Sequence, residues 1–391
     1  MSFPTVMVLD GETRASLSIV RSLGQRGVPI VVGCNHPLGR SKFSRYAKEH
    51  FVYPKDGPLT AIHSTIVEQV KRLRPDILMP VFDQSWEVVN SFYEEYTNLT
   101  AMVPNPGLKT SETLSDKGSL ADWAEKYGVP IPKTYRPSTL KDALTLNSSL
   151  PYPVLLKPKR NTAGVGIQRV NNPKEFMEAL RGTNDLPVIQ EYIEGEDLEL
   201  TLLSVYGESI AGSAYMSLRN SPLPYGPPIA CRTIKDETIM AIGREFLKKI
   251  GYHGVAHLDF RRDRRDGTPK LLDFNARIAG TNEISIRSGI DFAFMQYQIA
   301  TGEKVEPCFD YKAGVEFRWY LPGELRHFLH TPYKLKTLQN HLKWQNVFTD
   351  ISFADPLPHA VIVVEGAYRL AKKLKQKIEA KVSFKCKNGS S

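Results

Sequence analysis

The amino-terminal part of the chain alternates between short apolar runs and stretches in which apolar side chains recur at helical spacing. Strands that alternate with helices in this way favour a parallel sheet. Residues 1–108 are therefore expected to form a small parallel α/β layer. The strand-like runs begin at Thr5, Val28, Phe51 and Ile77, and the helical stretches cover Ala15–Gly24, Leu59–Leu73 and Ser85–Tyr96.

The pattern changes after this layer. A helix is predicted to follow Ser115-Asp116-Lys117 and to stop at Gly128, and the sequence Val129-Pro-Ile-Pro after it marks a domain boundary. Longer apolar strands separated by glycine-marked turns continue to about residue 300, which indicates a second, α+β arrangement. Beyond residue 310 regular spacing is lost, apart from two helical patterns at 325–342 and 367–382.

The last of these helical patterns is amphipathic and basic. Leu370, Leu374 and Ile378 fall on one face, while lysines cover the remainder. This arrangement is typical of a helix that lies on an anionic membrane surface. A helix docked on the protein's own core fits the same pattern equally well.

Residues 254–277 predict a β-hairpin that carries a metal site. Both arms are short and apolar, and the loop between them is polar and contains glycine and proline. On the first arm Asp259 shares a face with His257, and on the second Asp273 shares a face with Asn275. If Asp259 pairs opposite Asp273, two carboxylates and an amide oxygen come together between apolar neighbours, and such hard oxygen ligands suit Mg²⁺.

A second candidate feature is a glycine loop that follows a strand ending in Lys157. Lys159 opens the loop, and Gly164 and Gly166 lie within it, so its backbone N–H groups could fold over phosphates. It is not a Walker A loop, because no Gly-Lys-Ser/Thr follows and the next element is a strand. A plain tight hairpin is the alternative.

Composition and charge limit the classes of function that the protein is expected to have. The 391 residues carry a net charge of +9, but no nucleic-acid-binding motif is present, so no nucleic-acid partner is expected and small anionic substrates are preferred. The four cysteines are scattered without a CxxC pair, which argues against zinc and disulfides. With no membrane-spanning run and no secretory signal in the sequence, a cytoplasmic protein is expected.

The order of these motifs resembles the ATP-grasp superfamily. Two lysines, a glycine loop, Gln-Glu-Tyr-Ile-x-Gly, Leu-Asp-Phe and Leu-Asp-Phe-Asn-x-Arg follow one another between residues 117 and 277. Within that superfamily the chain looks most like the predicted carboxylate-amine ligases, a group that includes the D-aspartate ligases. The resemblance implies a pre-ATP-grasp α/β domain over 1–108, a linker helix and small lid over 109–205, a large ATP-grasp subdomain over 206–310, and an extension over 311–391.

The resemblance also implies ligands and residue roles. ATP and magnesium are the expected cofactors, with two metal ions and with Mn²⁺ as an alternative. Arg277 would steady the transferred phosphoryl group, and Lys157 would assist it. Asp259, Asp273 and Asn275 would hold the metal, although the family usually has glutamate where this chain has Asp273. The nucleotide would be bound by Lys117, Lys157, Lys159, Thr162, Gly164, Gly166, Gln190, Glu191, Tyr192, Ile193 and Glu199.

The expected reaction joins a small-molecule carboxylate to an amine through an acyl phosphate. Carboxylase or carbamoyl-phosphate chemistry and non-catalytic nucleotide binding remain alternatives, and a homodimer is left open. Arg14 and Asp83 lie at the carboxyl ends of predicted parallel strands, where ligands of such sheets bind. Arg232 and Arg287 could clamp a carboxylate bidentately, although surface ion pairs would explain them as well.

Overall fold

Three sheets organise the chain. The computed structural model describes residues 3–160, 164–181, 183, 185–222, 226–341, 345–364 and 366. One sheet is parallel, one is antiparallel and small, and the third is large and mixed. This combination confirms the expected α/β and α+β fold class.

The first sheet has five strands in the order β3-β2-β1-β4-β5, and all neighbouring strands are parallel. Its central strands are fully buried, as expected for strands covered by helices on both faces. The parallel layer predicted from the alternating pattern is therefore present. Its elements are β1 (Val6–Val8), α1 (Arg14–Gln25), β2 (Ile30–Cys34), a 3₁₀ turn (Arg40–Phe43), β3 (Ala47–Val52), α2 (Leu59–Leu73), β4 (Ile77–Met79), α3 (Asp83–Ser91), α4 (Tyr93–Thr97) and β5 (Ala101–Met102).

Two helices and a four-stranded antiparallel sheet, ordered β6-β9-β7-β8, come next. The helix predicted after Ser115-Asp116-Lys117 is present, and it already includes Lys117. The Asp116 carboxylate caps its first turn, and Gly128 follows its last residue in the left-handed region. A separate apolar cluster around Phe176 and Ile189 holds this small unit together. Its elements are α5 (Leu108–Ser115), α6 (Lys117–Tyr127), β6 (Thr134–Tyr135), α7 (Leu140–Leu146), β7 (Val154–Lys157), β8 (Gln168–Val170), α8 (Pro173–Leu180) and β9 (Val188–Glu191).

The large sheet has seven strands in the order β14-β13-β10-β11-β12-β15-β16. Its strands pair antiparallel except for β15 and β16, which are parallel. Its elements are β10 (Gly195–Val205), β11 (Glu208–Asn220), β12 (Pro228–Ile234), α9 (Glu237–Lys249), β13 (Gly254–Asp263), β14 (Pro269–Asn275), α10 (Asn282–Ser288), α11 (Phe292–Ala300), β15 (Glu316–Arg318), an irregular π-type turn (Tyr320–Glu324), α12 (Leu325–His330), α13 (Lys334–His341) and β16 (Val347–Thr349).

The expected boundary between the small lid and the large sheet was misplaced. It was drawn after residue 205, but β10 pairs with β11 on one side and with β13 on the other, so it belongs to the large sheet. The apolar run of β10 follows directly on a glycine-marked turn. The sequence pattern did not show that the boundary lies at this turn, before β10, and not after β10.

The region beyond residue 310 was also misjudged as an extension. β15 and β16 complete the large sheet, and three-residue strands are too short to leave an alternating pattern. The helix expected over 325–342 is two helices, α12 and α13, separated at Thr331–Tyr333. Pro332 explains the break, because proline removes a backbone donor and restricts the residue before it. The amphipathic pattern at 367–382 lies outside the described residues.

A later segment of the chain, which contains Asp350 and Asp355, packs against the parallel layer. The Nε of Arg21, on α1, donates to Oδ2 of Asp355 at 2.9 Å, and its Nη1 donates to the Asp350 carbonyl at 2.9 Å. The other carboxylate oxygen of Asp355 accepts from the Arg45 backbone N–H at 2.9 Å. Both side chains of the Arg21–Asp355 pair are buried, so the pair joins the two parts of the chain out of contact with water.

None of the described helices combines the length and the apolar character needed to cross a bilayer.

Candidate active site

The hairpin formed by β13 and β14 has the register expected from the sequence. Asp259 lies opposite Asp273, and His257 lies opposite Asn275. A β-bulge follows directly, since Phe260 pairs with Leu271 and leaves Leu272 as the extra residue. The two carboxylates therefore face each other on neighbouring strands, as the metal hypothesis requires.

A third carboxylate joins this pair from β10. Glu199 lies opposite Asp259, and the Nε2 atom of His257 is 3.0 Å from Oδ1 of Asp259 and 3.4 Å from Oε2 of Glu199. The ligand atoms of these three residues lie within 4.8 Å of one another. Burial would lower the pKa of His257, but the two carboxylates outweigh it and raise that pKa to about 9. The imidazolium thus neutralises part of the acidic charge.

Two buried lysines face the acids from other elements. The Nζ of Lys117, in the first turn of α6, is 3.3 Å from Oδ1 of Asp273. Lys157, at the end of β7, is only 5% exposed, and burial lowers its pKa to about 8, with Asp273 acting in the opposite direction. Burial raises the pKa of Asp273, and the charge of Lys117 opposes that rise. Acids from three strands and lysines from two further elements thus form one mixed-charge cluster.

Arg277 connects the hairpin to the parallel layer. Its Nε donates to Oδ1 of Asp83 at 2.6 Å, and its Nη2 donates to Oδ1 of Asn275 at 3.1 Å. The guanidinium also lies over the ring of Phe82, 4.2 Å from its centroid. The structure therefore brings a predicted residue that follows β14 of the large sheet into direct contact with one that opens α3 on the parallel layer.

Asp10 fixes the loop that supplies Phe82 and Asp83. Its carboxylate is buried and accepts from the backbone N–H groups of Val81 and Phe82 at 3.2 and 2.7 Å, from the Ser85 hydroxyl, and from the Tyr53 hydroxyl at 3.0 Å. Asp10 itself has a φ of 56°, a left-handed conformation that aspartate tolerates better than most residues.

These groups line one cleft of about 420 Å³. The hairpin acids and the two lysines lie in it, with Arg277 and Arg14 among the lining residues. Apolar side chains from the small and large sheets line it as well: Leu155, Ile167, Leu198, Phe260 and Leu272. The arrangement combines apolar walls with converging charges, which is the usual character of a small-molecule site.

Arg14 differs from the other charged groups of the cleft because no carboxylate among the described residues forms an ion pair with it. Its Nη1 donates to the Pro228 carbonyl at 3.1 Å, and its guanidinium lies 4.6 Å from the centroid of the Trp319 ring. Burial lowers its pKa from the ordinary value. A partly buried cation without an ion-pair partner among the described residues favours an anionic ligand.

The predicted nucleotide-binding residues are only partly gathered around the cleft. Gly164 lines it, and Gly166 lies against Pro158, each with a positive φ. The Lys159 side chain is exposed, while its carbonyl accepts from the Lys117 N–H at 3.0 Å. Thr162 lies outside the described residues.

Four further predicted nucleotide-binding residues lie beside the cleft without lining it: Gln190, Glu191, Tyr192 and Ile193. The Gln190 amide donates to the Thr134 hydroxyl at 3.0 Å, and the Glu191 carboxylate pairs with Arg265 at 2.6 Å. Tyr192 lies under Arg169, at 4.2 Å from guanidinium carbon to ring centroid. The Ile193 carbonyl accepts from Arg261, which is itself a lining residue.

Two of the predicted substrate arginines do not reach the cleft. Arg232 pairs with Glu316 at 3.1 Å, and Arg287 pairs with Glu283 one helical turn away at 3.0 Å. Neither lines the cleft, so the surface ion pairs considered from the sequence are what the structure contains at both positions. Asp83 contacts the cleft through Arg277, and Arg14 lines it directly.

Sequence reasoning missed several residues of the cleft. His257 was noticed only as a neighbour of Asp259, although a histidine two residues before a ligand carboxylate, on the same strand face, was a usable signal. Asp197 and Ser217 also line the cleft; Asp197 pairs with Arg261 at 2.6 Å, and the Ser217 hydroxyl donates to Glu199 at 2.6 Å. Nothing local in the sequence marked these two.

The donor set fits magnesium and a nucleoside triphosphate. Asp259, Asp273 and Asn275 provide the oxygen ligands that Mg²⁺ prefers, and Asp259 is shared with the Glu199–His257 group. Opposed carboxylates repel each other, and a divalent cation between them would relieve that repulsion. Lys117 and Lys157 supply charges for phosphates.

Comparison with known protein families identifies the central part of the chain. A family described as "ATP-grasp domain" matches residues 114–281. These residues are an ATP-grasp domain. The match begins just before α6 and ends just after Arg277, so this ATP-grasp region contains both lysines, the glycine loop and the hairpin.

The chain is also similar to individual ATP-grasp proteins. A D-aspartate ligase of Enterococcus faecium (strain Aus0004) is 26% identical over 207 residues, which cover 46% of this chain and 48% of the relative. The chain thus spans about half the length of that relative. The resemblance to carboxylate-amine ligases inferred from the sequence is confirmed.

Solved structures agree on the ATP-grasp fold. The biotin carboxylase domain of a 2-oxoglutarate carboxylase from Hydrogenobacter thermophilus, a dimer in complex with MgADP, ADP and bicarbonate, superposes with a TM-score of 0.66 at 19% identity and covers 81% of this chain and 74% of that one. An L-amino acid ligase from Bacillus licheniformis superposes with a TM-score of 0.59 at 21% identity and covers 77% and 74% of the two chains.

Proposed function

We propose that the protein is an ATP-dependent ligase that activates a carboxylate as an acyl phosphate and joins it to an amine. The observation that carries this proposal is a single cleft in which apolar walls, a mixed acid–lysine cluster and an unpaired arginine occur together. These are the elements needed to bind a nucleotide base, its phosphates and an anionic co-substrate.

The apolar walls form the part of the cleft that would bind the base of the nucleotide. Leu155 and Ile167 from the lid and Leu198 and Phe260 from the large sheet would bury an adenine ring. Lys117 and Lys157 would neutralise the phosphates, and the loop from Lys159 to Gly166 would cover them. Because an acyl phosphate hydrolyses in water, a closed lid over the phosphates protects the product of the first step.

Magnesium would be held by Asp259, Asp273 and Asn275. When bound, it supplies the charge that neutralises the triphosphate during phosphoryl transfer. Lys117 contributes by orienting Asp273, and Arg277 by orienting Asn275. Phosphoryl transfer needs positioning and charge more than covalent help, so this role suits residues that hold one another in place.

Arg14 is the best-supported group for the carboxylate substrate, because it is a partly buried cation in the cleft without an ion-pair partner among the described residues. In the first step a carboxylate oxygen forms a bond to the γ-phosphorus, the bond to the β-phosphate oxygen breaks, and ADP leaves. In the second step the amine nitrogen attacks the acyl carbon and inorganic phosphate leaves.

The deciding experiment screens amino acids and dipeptides for ADP release and identifies the product by mass spectrometry. The proposal expects turnover only with a carboxylate and an amine together, and a product that contains a new amide. Arg14→Met should raise the KM for the carboxylate at least tenfold while the KM for ATP stays within twofold. Lys42→Met, at a partly exposed cation outside the cleft, is the matched control.

Two outcomes would contradict the proposal. ADP release that depends on bicarbonate and on no other carboxylate would indicate carboxylase or carbamoyl-phosphate chemistry. Tight ATP binding without turnover across the whole screen would indicate a nucleotide-binding protein that is not an enzyme.

A further inference from the structure

A second, smaller cleft adjoins the first. Its volume is about 190 Å³, and it lies between α3, α5 and the edge strand β14. Asp273 and Asn275 line both clefts, so the two meet at the ends of these metal-site side chains. A molecule in the second cleft would lie beside the place where the phosphates of a nucleotide are expected.

Two buried donors belong to side chains that line this second cleft. Trp86 and Asn90 are each only 7% exposed, and neither Nε1 of Trp86 nor Nδ2 of Asn90 has a hydrogen-bond partner in the described structure. They are four residues apart on α3 and therefore share one helical face. Asn105 donates to Oδ1 of Asn90, which fixes which end of that amide is the donor.

Unsatisfied buried donors are costly and uncommon, so two of them on one face need an explanation. An oxygen acceptor on a ligand would satisfy them. The indole N–H and the amide N–H are both neutral donors, and they suit a hydroxyl, a carbonyl or a carboxylate oxygen.

The charge of the second cleft indicates which charge the ligand carries at its other end. Four carboxylates line it, and two of them are already in ion pairs, Asp83 with Arg277 and Asp273 with Lys117. The other two acids, Glu87 and Glu112, stand against one lining cation, Arg160. Glu87 and Glu112 are exposed and form no ion pair with a described residue. A cleft with this balance attracts a cation.

We propose that the second cleft binds the amine co-substrate, a small primary ammonium compound that also carries an oxygen acceptor. The proposal rests on the proposed ligase function and extends it to the second substrate. The oxygen accepts from Trp86 and Asn90, and the ammonium lies beside Glu87 and Glu112. Asp273 and Asn275 mark the opening through which nitrogen reaches the acyl phosphate.

The chemistry balances without a further reactant. The ammonium first gives one proton to a carboxylate of the cleft, and from there it passes to solvent. The nitrogen then forms a bond to the acyl carbon, the bond from that carbon to the phosphate oxygen breaks, and phosphate leaves with the bonding pair. The second proton lost by nitrogen is taken up by the departing phosphate.

A binding experiment tests the site without depending on turnover. The full-length protein is labelled with ¹⁵N in the indole groups, the Trp86 resonance is assigned with Trp86→Phe, and ethanolamine and glycinamide are titrated in. We expect a saturable shift of the Trp86 resonance with both probes. Propionamide, which lacks the ammonium, and inorganic phosphate should leave it unchanged.

Substitutions of the two exposed acids at the rim of the cleft, Glu87 and Glu112, distinguish binding in the cleft from non-specific effects. The double variant Glu87→Gln and Glu112→Gln should weaken ethanolamine binding at least fivefold, whereas Glu94→Gln, at an exposed acid on α4, should not change it. A resonance that does not move with either amine overturns the proposal. A shift caused by phosphate alone would instead identify an anion-binding crevice.

A kinetic experiment then links the cleft to the reaction. With a substrate pair found in the ADP-release screen, the rim double variant should raise the KM for the amine about tenfold. Its KM values for ATP and for the carboxylate, and its positional isotope exchange within ATP in the presence of the carboxylate alone, should match the wild type. An unchanged KM for the amine contradicts the assignment of the cleft. Absence of isotope exchange in the wild type contradicts the ligase function instead, and the titration still decides whether the cleft binds amines.

Discussion

The Nε of Arg277 lies 2.6 Å from Oδ1 of Asp83, although the two residues belong to different parts of the protein. Arg277 follows strand β14 of the large sheet, and Asp83 opens α3 on the parallel layer. The contact joins the two parts of the protein at the cleft. A change in the position of one sheet relative to the other would therefore change the orientation of Arg277.

Asp83→Asn should impair turnover more than nucleotide binding. Arg277 loses a charged acceptor but keeps its contacts with Asn275 and Phe82, so its orientation loosens. We expect kcat to fall by roughly tenfold to a hundredfold, the order of loss that a small misplacement of a catalytic group produces. The ATP dissociation constant should change less than threefold, as measured by calorimetry. Asp56→Asn, at an exposed loop residue, is the control, and equal effects of both substitutions would remove the proposed role of the contact.

The Asp273→Asn substitution should show whether Asp273 is a metal ligand or a structural residue. Without ligands, the substitution removes the repulsion between Asp273 and Asp259 but also weakens the pair with Lys117, so apo stability should stay about the same or rise. With Mg·ATP the wild type gains stability by mass action, and the variant should gain much less. Melting curves with and without Mg·ATP measure both effects.

Asp310→Asn, at an exposed acid on a long 3.8 Å ion pair, is the matched control for that experiment. If Asp273→Asn melts well below the wild type without nucleotide and keeps the full Mg·ATP shift and rate, Asp273 has a structural role and the metal hypothesis is wrong.

Lys157→Met should make apo stability less dependent on pH. The pKa of Lys157 is about 8 in the folded protein against an ordinary value of 10.5. Between these values the unfolded chain holds a proton that the folded chain has released, so wild-type stability rises with pH across this window. Methionine does not titrate. The variant should therefore be more stable than the wild type near pH 7, and the difference should shrink towards pH 10.

Urea denaturation at several pH values measures this effect, and Lys159→Met is the control because that side chain is exposed. Both variants should bind ATP more weakly, but only Lys157→Met should alter the pH profile. A constant difference in unfolding free energy between wild type and Lys157→Met would show that Lys157 does not lose its proton in this range.

Asp355→Ala should destabilise the protein strongly. It leaves Arg21 buried without its carboxylate, and breaking a buried pair in this way costs about 3–5 kcal/mol. Arg21→Met combined with Asp355→Ala should recover a large part of that loss, because no uncompensated charge remains. Chemical denaturation of the single and double variants forms a double-mutant cycle, and simple additivity would show that the pair contributes nothing specific.

The sequence predicted those parts of the site whose residues lie within one short stretch of the chain. Alternation placed Asp259 and Asp273 on the polar faces of two short strands, and the metal hypothesis depended on the condition that these faces pair. The structure meets that condition, since Asp259 lies opposite Asp273. The order of the motifs along the chain then led to the ATP-grasp family. Lys117 and Lys157 were assigned through that family resemblance, and the structure brings them to the hairpin acids.

The remaining parts depend on contacts between distant segments. Asp83 and Arg277 are 194 residues apart, and no periodicity links them. Arg232 looked like a substrate clamp because its partner, Glu316, lies on a three-residue strand that the pattern did not predict. Unpaired Arg14 and paired Arg232 are indistinguishable in the sequence, because what separates them is the absence or presence of a carboxylate brought in by the fold.

The contact between Arg21 and Asp355 has a consequence for how the protein is made. The two residues are 334 positions apart, so a ribosome that has completed the parallel layer has yet to synthesise the carboxylate that neutralises one of its buried cations. Domains at the amino terminus commonly fold first during synthesis. Here that layer would stay incomplete until residue 355 has been synthesised, with Arg21 hydrated and the face of α1 open. Contacts of such long range make the final closure slow.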